Sequence, residues 1–239
     1  MTLTTWHSVQ RNLLLFVFAL VVVGLPVERV RAEGQPPWPD TIAARLEALA
    51  LIESLNAELL SSHSATLTIE KWCADHKLAA TPKIVARLDR GVDKPATQEQ
   101  RQRLQVGDAE LVKFRHVELA CGTQVLSIAD NWYVPGRLTA EMNSALETTD
   151  TPFGKAVLAL APTRETFAAN VLWSPLPIGW EMGAKGAVPQ NSGGVLEIPR
   201  ALFEHRALLF DKNKVPFSEV DEIYQHALLA FPPLELGPK

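Results

Sequence analysis

The sequence predicts an α+β fold built on an antiparallel sheet, and three observations carry that prediction. The longest helix-like periodicity comes early, across residues 41–78. From residue 83 onward most segments alternate apolar and polar residues at a period of two, the mark of half-buried strands. Those strand-like runs follow one another through short turns at Gly122 and at Lys212-Asn213, which favours neighbouring antiparallel strands over crossover helices.

The elements follow in order. Arg11 precedes an unbroken apolar run, "LLLFVFALVVVGL" at 13–25, which Pro26 breaks. Val30 and Ala32 then sit at the small-residue positions of a cleavage site, so residues 1–32 read as a secretory signal peptide. The run falls short of the roughly 20 apolar residues of a membrane span, and an uncleaved anchor is the alternative. Residues 33–40, "EGQPPWPD", read as a Pro-rich arm, and residues 41–239 as a single domain. Asp40 is placed to cap a helix in which Ile42, Leu46, Leu49, Ile52, Leu55 and Leu59 step by three and four. Ser64 is placed to cap a second, shorter helix, "ATLTIEKWCADHKL".

Pro82 closes the helical region. "KIVARLDR" (83–90) alternates as a strand, and the polar stretch 91–108 reads as an exposed connection. "AELVKFRHVELAC" and "TQVLSIADNWYVP" form a hairpin about Gly122. "GRLTAEMNSALETT" is helical, with Leu138, Met142 and Leu146 four apart. "FGKAVLAL" and "RETFAANVLW" read as strands, the segment 174–194 as a loop, and "HRALLFD" with "VPFSEVDEIYQHAL" as a second hairpin.

Composition narrows the function. The chain is 47% hydrophobic and 21% charged, which suits one domain with a sizeable core. Removing residues 1–32 takes away three arginines and one glutamate, moving the net charge from −4 to −6. An acidic body argues against nucleic-acid binding, which draws on cationic contacts to phosphates. Cys73 and Cys121 are the only cysteines, and in an exported chain they are a disulfide candidate; in a reducing compartment they would be buried thiols. No CxxC or histidine-rich spacing points to a metal, and no phosphate-binding glycine loop or nucleophile elbow is present.

Polar residues inside strand-like runs are the candidate site. Arg115 shares a strand face with Val117 and Leu119, and an inward guanidinium requires a carboxylate partner or an anionic ligand. Glu222 lies on one face with Val220 and Tyr224, whereas Glu219 and Asp221 lie on the other. Asn131 and Arg164 are further polar positions among apolar strand residues. In "TTDTPFG", Pro152 fixes a corner and Gly154 allows close backbone approach beside Phe153.

"FRHVELACGTQVLSIADNWYVP", "LETTDTPFGKAVL" and "VPFSEVDEIY", in that order, resemble the chorismate lyase family, whose fold is shared by the ligand-sensing domains of some bacterial transcription regulators. The resemblance spans about residues 41–230. It implies an antiparallel sheet with helices enclosing a buried pocket for an aromatic acid, and cleavage of chorismate to 4-hydroxybenzoate and pyruvate with no cofactor or metal. It maps the carboxylate-binding arginine onto Arg115, an amide that meets the same carboxylate onto Phe153, and the acid near the ring hydroxyl onto Glu222, with Asp221 as the rival. Two features depart from the pattern. Asn131 stands where a second arginine is usual, and the chain carries an export signal although chorismate is a cytosolic metabolite. The first expectation is an exported, cofactor-independent lyase acting on chorismate or a related enolpyruvyl aromatic precursor. Both departures favour binding a monocarboxylate or a changed reaction, and the alternative is a non-catalytic periplasmic binding module for a small aromatic carboxylate.

Overall fold

The computed structural model describes residues 37–183 and 193–234. The segment read as a signal peptide, half of the Pro-rich arm and part of the 174–194 loop lie outside them. The described elements are α1 (Ile42–Ser61), α2 (Ala65–Asp75), β1 (Ile84–Asp89), α3 (Gln98–Arg103), β2 (Lys113–Cys121) and β3 (Gln124–Tyr133). They continue with α4 (Ala140–Thr148), α5 (Phe153–Ala156), β4 (Thr163–Val171), β5 (Ala201–Phe210) and β6 (Pro216–Gln225). The fold is α+β. Its six strands form one sheet in the order β1-β2-β3-β6-β5-β4, with every neighbouring pair antiparallel. Two hairpins, β2–β3 and β5–β6, meet along the β3–β6 seam, and β1 and β4 are the edges.

The two sheet faces are covered unequally. On the inner face, Val117, Ala129, Phe203, Val220 and Tyr224 pack against Ile52, Leu55 and Leu59 of α1 and Ile69 and Trp72 of α2. Each such fully buried side chain contributes roughly 1.5–3 kcal/mol. On the outer face, Leu104, Trp132 and Val134 form a small cluster backed by Phe114 and Leu208. Two buried indoles tie the C-terminal turn to the rest of the core: Trp38 Nε1 donates to the Leu229 carbonyl at 3.1 Å and Trp72 Nε1 to that of Leu228 at 2.9 Å. Cys73 and Cys121 are joined in a disulfide that links α2 to the end of β2 across 48 residues. A loop of that length is worth on the order of 4 kcal/mol in unfolded-chain entropy.

Four local expectations change. The inward stripe of α1 is Ala44, Ala48, Ile52, Leu55 and Leu59, while Leu46 is exposed. Its cap is Thr41, whose side chain accepts from the Ala44 amide; Asp40 instead accepts from Arg45 Nε at 2.6 Å. The stretch 91–108 is more than an exposed connection, because α3 forms there behind a reciprocal Thr97–Gln100 capping box and leads into the fully buried Leu104. "FGKAVLAL" is not a strand. It forms α5 and a 3-10 turn at Leu158–Leu160, because Pro152 enters at φ −60° and the buried pair Phe153 and Val157 are four apart, a helical spacing.

Candidate functional site

A cavity of about 40 Å³ lies between the inner face of the sheet and the starts of α2 and α5. The antiparallel register builds its floor in rows. Arg115 pairs with Asn131 and Asn131 with Val220; one row on, Val117 pairs with Ala129, Ala129 with Glu222 and Glu222 with His205. Arg164 reaches the same cavity from the edge strand β4. On the helical side, Ser64 caps α2 by accepting from the Leu67 amide, and Thr66 follows in its first turn. α5 presents Phe153 and Gly154 beside them. A Cβ on Gly154 would stand 2.8 Å from Thr66 Oγ1 and 3.2 Å from Ser64 Oγ, so only glycine lets α5 approach α2 this closely.

The cavity thus gathers Arg115, Asn131, Phe153, Gly154, Arg164 and Glu222 from five elements. Asp221 is not among them. It turns to the outer face, where Arg206 Nε lies 3.3 Å from its carboxylate and burial pushes its pKa up. Glu219, also on the outer face, is buried and receives both Nε and Nη2 of Arg103, at 2.8 and 2.7 Å. The alternation that separated Glu222 from its two acidic neighbours therefore holds.

Arg115 is 4% exposed, and its Nε, Nη1 and Nη2 have no hydrogen-bond partner among the described residues. Burial pulls its pKa below the ordinary arginine value, the direction expected for a desolvated cation without a counter-charge. Tyr133 is close enough to feel that charge, but burial raises the phenol's own pKa, so it supplies no anion at neutral pH. Asn131 accepts from the Ser218 hydroxyl at 3.0 Å.

Arg164 sits differently. Its Nη2 lies 2.7 Å from Glu222 Oε2, and both side chains are almost fully buried. The coulombic attraction to Glu222 outweighs the hydrogen-bond contribution between the two groups. Burial opposes the arginine's charge, but Glu222 and Tyr224 outweigh it and the pKa is raised. Tyr224 donates its hydroxyl to the same Glu222 oxygen at 3.1 Å, and burial holds that phenol far above its usual range.

Behind this pair stands His205, fully buried. Its Nε2 meets Asn56 Oδ1 at 2.7 Å, and burial, aided by the Arg164 charge, lowers its pKa to about 4. Sequence reasoning missed His205, Asn56 and Thr66 as members of this layer. The cap at Ser64 and the shared face of Tyr224 and Glu222 were visible signals, but only tertiary packing turns them toward the cavity. Among the described residues, no group of three or more His, Cys, Asp or Glu side chains is placed to hold a metal ion. Nor is any helix there long and apolar enough to cross a membrane.

Fold and cavity together define an α+β domain with a small, largely apolar cavity that holds a guanidinium without a hydrogen-bond partner among the described residues. The chain is 47% identical over 236 residues to the uncharacterized protein y4mC of Sinorhizobium fredii, a match covering 98% of this chain and 99% of that one, and it belongs to the same family. No family model matches it. Solved structures with a similar fold include gene product SA0254 of Staphylococcus aureus, with a TM-score of 0.40 and 11% identity over 64% of this chain and 92% of that one. The effector domain of PhnF from Mycobacterium smegmatis gives 0.39 and 12% over 64% and 88%. A GntR-family transcriptional regulator from Enterococcus faecalis gives 0.37 and 13% over 64% and 99%. Likeness at these scores is one of general architecture and says nothing of ligand or activity.

Proposed function

We propose that the protein is an exported binding module for a small carboxylate, of the aromatic class the sequence suggests, whose acid group enters the inner cavity against Arg115. The observation that carries this reading is the buried guanidinium whose three nitrogens lack a partner among the described residues, since an isolated buried charge costs several kcal/mol unless an anion meets it. The guest's carboxylate takes the bidentate face of Arg115, with the Phe153 amide and the Asn131 side chain beside it. Gly154 keeps that corner open, and Arg164 orients Glu222 toward the guest's far end. One domain spans residues 41–239, following a cleaved signal peptide at 1–32 and the arm at 33–40. The Cys73–Cys121 disulfide supports a periplasmic or secreted location, because such bonds persist in oxidising compartments.

A second reading is a cofactor-independent chorismate lyase, supported by Glu222 sharing one cavity with Arg115. In it the two are the catalytic residues, Arg115 holding the ring carboxylate and Glu222 acting where the enolpyruvyl group leaves. Asn131 and the existing Glu222–Arg164 pairing favour binding over turnover, since neither a second free cation nor an uncommitted acid is at hand. Isothermal calorimetry with benzoate and 4-hydroxybenzoate tests the binding reading: wild type binds and Arg115→Ala does not. Binding unchanged by that substitution refutes the site. Pyruvate release from chorismate, abolished by Glu222→Gln, would replace the module with the lyase.

A further inference from the structure

Size sets a problem for any guest of the inner cavity. Its 40 Å³ holds a few water molecules, enough for a carboxylate and little more. A second, more open groove of about 360 Å³ adjoins it, and His63, Ser64 and Pro162 line both. Beyond that shared threshold the groove is walled by Leu67, Leu158 and Ala161, with Thr163 as one polar member. Leu67 and Leu158 are 41% and 47% exposed, although each is a large apolar side chain. The arrangement runs from a buried cation, through a polar threshold, to an apolar trough open to solvent.

From this gradient we infer that the ligand is an amphipathic acid: its carboxylate lies in the inner cavity and an elongated apolar chain lies in the outer groove, between Leu67 and Leu158. The inference rests on the carboxylate reading of Arg115 and extends it from the head of the ligand to its body. A compact aromatic acid would leave the trough empty, whereas a chain leaving the cavity past Pro162 buries its methylenes against both leucines. Each methylene so buried tightens binding about fourfold.

The test is a calorimetric titration of the purified protein with straight-chain carboxylates from acetate to decanoate, kept below their micelle concentrations. Affinity is expected to rise about fourfold per methylene until the groove is filled. In Leu158→Asn, which adds no charge, the rise per methylene should flatten, and Leu67→Asn, on a different element, should do the same. Both leucines are surface positions, and an unchanged thermal melt verifies that the variants fold. If short acids bind in an Arg115-dependent way but chain length or the two asparagines make no difference, the amphipathic ligand is overturned and the carboxylate site stands. Should no acid bind, or should Arg115→Ala bind all of them as wild type does, both readings fall together.

Discussion

Two buried arginines face one cavity and are treated in opposite ways. At the β4–β6 end, Arg164 has Glu222 at 2.7 Å, with Tyr224 and His205 packed around the pair. At the β2–β3 end, Arg115 beside Asn131 and the α2–α5 corner has neither a hydrogen-bond partner nor a carboxylate counter-charge among the described residues. Arg164, whose Nε and Nη2 also lack hydrogen-bond partners, at least has that counter-charge. Both side chains pay for desolvation, but only one recovers it within the chain. The first end is a closed internal account of charge; the second is left open. An open cation in a core is costly, so under the proposed function the contrast separates an end whose charges answer one another from an end whose charge is left for a carboxylate guest.

That contrast can be broken from the strongest effect to the weakest. Arg164→Met strands Glu222 without its cation and should cost about 3–5 kcal/mol in urea unfolding, most of it regained in the double variant Arg164→Met/Glu222→Gln. A double variant no better than the single one would mean the pair is not the reason Arg164 is there. His205 gives the next effect. It stays neutral in the folded chain, with its pKa lowered from 6.5 to about 4, so its contribution is whole above pH 6.5 and is lost as the pH falls toward 4. The loss amounts to roughly 3 kcal/mol across that window, and the unfolding free energy of His205→Leu should fall less steeply there than that of wild type.

Gly154→Ala, at the open end, forces a Cβ into Thr66 Oγ1 and should cost about 1–3 kcal/mol, relieved in part by Thr66→Ala. Arg115→Met is the smallest change in stability and the sharpest test. Removing an unpaired buried charge should leave the ligand-free fold unchanged or steadier by about 1–2 kcal/mol, while carboxylate binding drops at least tenfold. Destabilisation by that substitution comparable with that of Arg164→Met would erase the distinction between the two ends.

Much of the sheet was legible because its signals are local. Period-two alternation turned Arg115 inward with Val117 and Leu119, and separated Glu222 from Glu219 and Asp221. The partnership of Arg164 with Glu222 was not legible. It crosses from β4 over β5 to β6, and no spacing in the chain records which strands become neighbours. The "FGKAVLAL" run misled because a short apolar stretch satisfies helix and strand alike, and the choice was made by how Phe153 and Val157 bury. α3 was hidden for the opposite reason: six polar residues show no apolar period, and only the Thr97–Gln100 capping box marked it.

The bridge between Cys73 and Cys121 has a further consequence. It fastens the helix whose first turn walls the cavity to the very strand that carries Arg115, so host and hook are stitched into one piece. Thiol reductants should therefore slacken the grip on a bound acid at concentrations of urea that leave the sheet intact. Under the proposed export, an oxidising compartment is what closes this bond and completes the wall of the cavity.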